Sequence, residues 1–246
     1  LWPLEPNMVF LNHGSYGATP TEVLEVQSHW RRKLEEQPCQ FINNIAPREI
    51  RTAADSLAQF LGAQGNDLAF VENTTEGINA VLRSFPFCEG DEVVVSDHIY
   101  NAVRNTLNFV LEPKGARLAV AKLGLPILGD DAIVETIFSV VTASTRLIVI
   151  DHVASVSAVK FPVAQIAAAA RLRGIPVLVD GAHAPGMLDL DVPALDVDWY
   201  VGNCHKWLCA PKGAAFLWAN KDRQNDLHPT VISHDLGKGF TFEFDK

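Results

Sequence analysis

Val177-Leu178-Val179-Asp180-Gly181-Ala182-His183 and, further on, Trp199-Tyr200-Val201-Gly202-Asn203-Cys204-His205-Lys206-Trp207 are apolar runs that each end in reactive side chains. Neither run alternates apolar with polar residues, so both faces of each predicted strand should be covered, as in a parallel sheet between helix layers. Other strand candidates are Leu68-Val71, Glu92-Ser96, Arg117-Lys122, Leu147-Ile150, Pro176-Asp180, Trp199-Val201 and Ala214-Trp218. Helical periodicity fills most gaps between them, at Glu76-Ser84, Asn101-Glu112, Asp131-Val141 and Val163-Arg173. Two more helices are predicted ahead of the first strand, at Pro20-Glu36 with Thr19 as N-cap and at Arg48-Leu61 with Gly62 as stop. The alternation predicts an α/β fold with a mainly parallel seven-stranded sheet flanked by helices.

Ligands of such sheets bind outside the carboxyl ends of the strands, so the turns after the strands are where chemistry is sought. Asp180 closes a buried strand and is followed by small residues, Gly181-Ala182-His183-Ala184-Pro185-Gly186, which permit close approach of a planar ring. A structural aspartate capping the next segment is the plainer alternative. Lys206 lies just past the next strand, between His205 and Trp207 rather than among polar neighbours. A carboxylate and a lysine so placed suit pyridoxal 5'-phosphate (PLP): the lysine forms a Schiff base, and the carboxylate keeps the pyridine nitrogen protonated. Released from that aldimine, the lysine serves as general base at a substrate α-carbon.

Three other turns carry polar residues. Glu72-Asn73-Thr74-Thr75-Glu76-Gly77 opens a helix, where free N–H groups and hydroxyls form an anion site suited to a phosphate. Taken alone, that segment is explained more simply by capping through Asn73, Thr74 or Thr75. Asp97-His98-Ile99-Tyr100-Asn101 offers two rings that could lie on a flat cofactor, though a histidine and a tyrosine at a strand end are commonly structural. In Asp151-His152-Val153-Ala154-Ser155, the Ser155 hydroxyl is the candidate for a polar contact to the ring, and Asp151 alternatively accepts backbone N–H groups of a plain turn.

The chain has 246 residues, 48% apolar, with a formal net charge of -9. That length buries one large core, and dispersed acidic residues without a Lys/Arg run argue against nucleic acid or an anionic membrane as partner. Small soluble substrates fit better. No apolar run approaches the roughly 20 residues that cross a bilayer, and the start lacks the basic and apolar stretches of a signal peptide. The four cysteines, Cys39, Cys88, Cys204 and Cys209, form no paired framework, and a cytoplasmic, reduced protein is the expectation. Cys204, His205 and Cys209 give three ligands without a second matching pair, so no metal centre is expected. Residues 1–18 are expected to be an extended arm with a substrate-mouth loop, and 19–246 the large PLP-binding domain.

Taken together, these segments resemble the class V aminotransferase superfamily of fold-type I PLP enzymes, from about Phe10 to Phe244. Phe10-Leu11-Asn12-His13-Gly14-Ser15-Tyr16-Gly17, Asp180-Gly181-Ala182-His183-Ala184-Pro185-Gly186 and His205-Lys206-Trp207-Leu208-Cys209-Ala210-Pro211-Lys212-Gly213 look most like its isopenicillin N epimerase-like branch. The resemblance implies that Lys206 carries the aldimine, Asp180 faces the pyridine nitrogen, and His183 lies near the ring oxygen. It also implies that Thr74, Thr75, Asn203 and His205 cradle the phosphate, that Tyr100 or else His98 stacks on the ring, and that Asn12, His13 and Gly14 line the substrate mouth. Action at the α-carbon of an amino acid follows, with epimerisation first, Tyr100 or His98 serving as a second acid. The alternatives are a cysteine desulfurase or lyase, and a non-catalytic PLP-fold fragment. A homodimer is implied as well.

The sequence departs from this pattern in two respects. Ser155-Val156-Ser157-Ala158 stands where many of the branch have Ser-x-Thr-Gly. The resemblance also implies a C-terminal small domain beyond these segments, expected to be missing here, with a Gly-Thr motif that completes a neighbouring subunit's phosphate site, a carboxylate-clamping arginine and the cysteine-bearing loop of desulfurases. A fragment, still active or not, is therefore the expectation.

Overall fold

The computed structural model describes residues 1–245; Lys246, the last residue of the expected large domain, lies outside the described residues. Strands β1 (Leu68–Val71), β2 (Glu92–Ser96), β3 (Arg117–Ala121), β4 (Thr145–Asp151), β5 (Val177–Asp180), β6 (Trp199–Asn203) and β7 (Ala215–Ala219) form one seven-stranded sheet of order β1-β7-β6-β5-β4-β2-β3. Neighbours from β3 to β6 pair in parallel, whereas β7 runs against both β6 and β1. The expected mainly parallel α/β sheet is thus present, with a single reversed strand near one edge.

The unbroken apolar runs explain the burial: every residue of β2, β5, β6 and β7 is buried. Two apolar layers result. One contains Ile148, Ile150, Ile166, Val177, Val179, Tyr200 and Phe216. The other contains Ile78, Val93, Val95, Leu107, Val149, Leu178 and Val201. Adjacent positions of one strand, such as Leu178 and Val179, therefore face opposite layers, and each fully buried Val, Leu or Ile contributes roughly 1.5–3 kcal/mol.

Helices α1 (Thr21–Glu36), α2 (Pro38–Gln40), α3 (Ala46–Phe60), α4 (Thr74–Ser84), α5 (Asn101–Leu111), α6 (Asp130–Ser139), α7 (Val163–Arg171) and α8 (Phe240–Phe244) complete the element order, with a π-helical turn at Phe41–Ile45 joining α2 to α3. The expected Thr19 cap is corrected. Pro20 is the N-cap residue of α1, and the Thr19 hydroxyl instead donates to the Ala210 carbonyl while accepting from Lys212 Nζ. Thr19 is thereby committed to the segment after Lys206. Helix α4 begins at Thr74, earlier than the expected Glu76, because Asn73 caps it through a hydrogen bond from the Glu76 N–H at 2.9 Å.

Residues 1–18 carry no helix or strand, and the arm folds back so that the Thr21 N–H reaches the Leu1 carbonyl. Gly17 pins it down. At φ +70, with His205 O only 2.0 Å from where a Cβ would sit, this position admits no side chain. Among the described residues no helix is long and apolar enough to cross a membrane.

Candidate active site

The carboxyl ends of β1, β4, β5 and β6 bring the singled-out residues to one edge of the sheet. Lys206 lies in the connection from β6 to β7, which is closed at its base: the Cys204 and His205 N–H groups both reach the Ala214 carbonyl, and the Ala210 N–H reaches Cys204 O. A cavity of about 500 Å³ opens here, lined by Asn12, Gly14, Tyr100, Ser155, His183 and Lys206.

Lys206 Nζ lies 3.2 Å from His183 Nε2, and the Trp207 indole N–H donates to His183 Nδ1 at 3.4 Å. An indole nitrogen can only donate, so Nδ1 must present its lone pair. Burial lowers the His183 pKa to about 4, with Lys206 adding to the effect. With Nδ1 accepting from the indole, the neutral imidazole carries its hydrogen on Nε2, on the side of Lys206 Nζ. Burial lowers the Lys206 pKa in the same sense, partly opposed by Asp180. A lysine so held is nucleophilic and basic, not merely cationic.

Asp180 is buried, and its Oδ1 accepts from the Ala182 N–H at 3.0 Å. Burial raises its pKa to about 6, against the lowering effects of the Ala182 hydrogen bond and Lys206. A cationic ring nitrogen placed against it would bring it down again. Gly181 gives the space: a Cβ there would lie 2.2 Å from the Tyr200 ring. Tyr200 in turn meets His152 Nδ1 at 2.8 Å, and burial holds the phenol protonated.

Facing these groups is the start of α4. Asn203 Oδ1 accepts from the Thr74 N–H at 3.0 Å and Asn73 takes the Glu76 N–H, while no protein acceptor meets the Thr75 N–H. The Thr74 hydroxyl is buried without any partner. An orphan hydroxyl beside a free N–H at a helix N-terminus is suited to a phosphate. His205 donates Nδ1–H to the Ala214 carbonyl at 2.9 Å, which leaves Nε2 for a ligand, and burial lowers its pKa. These residues fit pyridoxal phosphate: a lysine whose charge burial disfavours, a buried carboxyl and a helix start with an unpartnered hydroxyl lie at one sheet edge.

The two ring candidates separate. Tyr100 lines the cavity and is 43% exposed, free to cover a flat ligand. His98 is packed away, with Nδ1 2.7 Å from Ser157 Oγ and its ring edge-on to Phe161. At the mouth, Asn12 and Gly14 border the cavity, whereas His13 turns into a cluster with Trp2, Phe10 and Trp207 and lies 3.7 Å from Cys209 Sγ. Cys204 belongs to the apolar core, where burial pushes its thiol up to about 12. Ala158 adopts φ 56, the left-handed conformation that the glycine of the Ser-x-Thr-Gly pattern takes easily, and an alanine holds it at a cost of about 1 kcal/mol.

Sequence reasoning missed two participants. In the sequence Trp207 reads as an apolar neighbour of the lysine, and Asp151 as one of several polar groups near a cofactor edge or as a turn acceptor, not as a partner of Asp180. The signal for Asp151 was available: it ends β4 as Asp180 ends β5, and the two are in register.

Residues 14–241 match the family described as Aminotransferase class-V. The isopenicillin N epimerase of Streptomyces clavuligerus is 36% identical over 232 residues, which are 94% of this chain and 58% of that protein. A probable chloroplastic L-cysteine desulfhydrase of Arabidopsis thaliana is 29% identical over 258 residues, covering 97% of this chain and 54% of the relative. Among solved structures, the cystine C-S lyase C-DES in complex with its product cysteine persulfide superposes with a TM-score of 0.86 at 26% identity, over 93% of this chain and 61% of that one. Another structure of C-DES has glycine covalently linked to the PLP cofactor. The chain spans under two thirds of the length of each of these proteins.

Proposed function

The chain belongs to the aminotransferase class-V family, and from that premise we propose that it is a PLP-dependent enzyme acting at the α-carbon of a small amino acid, with epimerisation as the first reading. The observation that carries the proposal is the Lys206 amine held 3.2 Å from His183 Nε2 within the cavity bordered by Tyr100. Lys206 would hold the cofactor covalently, Asp180 would face its ring nitrogen, His183 its ring oxygen, and Tyr100 its plane. Thr74, Thr75, Asn203 and His205 would surround its phosphate, and Ser155 would meet the ring edge. When bound, the cofactor supplies an electron sink for the pair left at the α-carbon after proton loss.

The residues of the chain do the rest. Lys206 Nζ, whose charge burial disfavours, would take the α-proton. His183 keeps that amine oriented through Nε2–H. Asp180 balances positive charge at the far end of the site. The Tyr100 phenol, on the same cavity wall system, is the second proton carrier that return of a proton to the other face requires. Asn12 and Gly14 border the entrance for the substrate.

C–S bond cleavage of a cysteine-type substrate is the second reading, favoured by the similarity to desulfhydrases and to C-DES. It uses the same Lys206 proton abstraction, followed by loss of a β-sulfur group instead of proton return. Self-association as a homodimer belongs to either reading.

The test is the absorbance of the purified chain with added PLP, before and after borohydride reduction, with the modified peptide mapped. Capture on Lys206 supports the site; capture elsewhere, or none, overturns it. Amino acids are then supplied in heavy water. Deuterium at the α-carbon without sulfide supports epimerisation, sulfide release from cysteine supports the lyase, and capture with neither means a cofactor-binding fold without turnover.

A further inference from the structure

Asp151 and Asp180 end adjacent parallel strands, β4 and β5, at registered positions, so their side chains leave the same face of the sheet side by side. Both are buried, at 2% and 4% exposure. Asp151 Oδ2 has no hydrogen-bond partner, and among the described residues no lysine, arginine or histidine nitrogen lies within ion-pair distance of Asp151. Two ionised carboxylates so close, dry and uncompensated would be strongly unfavourable, and such pairs hold a proton between them.

The environments of the two differ, which decides where the proton goes. Asp180 accepts the Ala182 N–H and feels Lys206 across the cavity. Asp151 faces Asp180 from β5 and the backbone N–H of Tyr100 from the head of α5, with no cation to offset its burial. Burial and Asp180 both push the Asp151 carboxyl well above the ordinary carboxylate range, whereas Asp180 rises only to about 6.

We propose that Asp151 stands at neutral pH as a neutral carboxylic acid beside Asp180, a positioning residue that leaves Asp180 the only negative charge at that end of the site while its other oxygen supports the turn bearing Tyr100. This deepens the reading above and rests on it for the role of Asp180. The charge consequence is specific. With Asp151 neutral, a cationic ring nitrogen finds one counter-charge rather than two, and the Tyr100 turn stays tied to the strand that neighbours Asp180.

The experiment is the infrared carboxyl spectrum of the cofactor-free chain at pH 8, where Asp180 and Asp245, both raised only to about 6, are ionised. The wild-type chain should show one buried protonated carboxyl. That band should disappear in Asp151→Asn and persist in Asp180→Asn. Absence of the band in the wild type, or its survival in Asp151→Asn, overturns the proposal. Should Asp151→Asn not fold, survival of the band in Asp151→Ala does the same. In PLP titrations Asp151→Asn, which keeps both neutrality and an acceptor for Tyr100, should bind within about threefold of wild type, and Asp151→Ala about tenfold weaker. Equal binding by the two variants removes the positioning role. Failure of every variant and of the wild type to bind PLP would remove the functional reading while the cofactor-free spectrum still reports on the proton of Asp151.

Discussion

The indole N–H of Trp207 meets His183 Nδ1 at 3.4 Å, which places the imidazole hydrogen on Nε2, 3.2 Å from the Nζ of the residue next to Trp207 in the chain, Lys206. In Trp207→Phe the imidazole is free to place its hydrogen on Nδ1, so that Nε2 accepts from a lysine ammonium. The Lys206 pKa should then rise. Competitive labelling of lysines with an amine reagent across a pH series, read by mass spectrometry, should show Lys206 reactivity moving to higher pH. An unmoved profile would show that the indole does not set the tautomer.

Thr74 is predicted to have opposite effects on the empty and the loaded protein. Its buried, unpartnered hydroxyl destabilises the free chain, and Thr74→Val should raise stability by about 1 kcal/mol. The same change removes a donor to a charged phosphate, worth about 2 kcal/mol, so PLP affinity should fall by more than tenfold. Urea unfolding of the free chain and a PLP titration give the two numbers. A loss of stability together with unchanged affinity would mean that the hydroxyl is not part of an anion cradle.

His205 should gain a proton when an anion fills the space before its Nε2. Burial lowers its pKa in the free chain, and a phosphate close by raises it because opposite charge favours the cationic ring. Imidazole NMR shifts followed against pH, with and without inorganic phosphate, should show the His205 midpoint moving upward with phosphate present. No movement places the phosphate elsewhere.

Asp245 makes an ion pair with Arg51 at 2.7 Å, yet burial outweighs that partner and raises its pKa from 3.8 to about 6. A carboxyl with a raised folded-state pKa binds its proton more tightly when folded. It contributes stability below the unfolded value, and that contribution fades as the pH climbs from about 4 to about 6. Relative to Asp245→Asn, the wild-type chain should therefore lose stability over that interval. Paired urea melts at several pH values test this, and a difference that grows with pH would reverse the argument.

Much of this architecture is legible in the sequence because the strands are unbroken apolar runs and the reactive residues sit where those runs stop. Asp180 and Lys206 are visible for that reason. What was not legible depends on contacts between distant segments. The role of Thr19 follows from its bond to Ala210, and the dry hydroxyl of Thr74 from Asn203 taking the adjacent N–H. The pairing of Asp151 with Asp180 is a matter of strand register, which no local pattern reveals. The left-handed Ala158 went unforeseen because its residue type argues against that conformation, and the surrounding turn imposes it.

Strand β1 has a single neighbour, β7, and the bond that joins Asn203 to the Thr74 N–H spans 129 positions of the chain. A growing polypeptide therefore makes the first half of the anion cradle early and must wait for nearly all of the sheet before the second half arrives. Closing so long a loop is entropically costly and tends to come late. An anion bound at that helix start would therefore stabilise only chains that have finished the sheet.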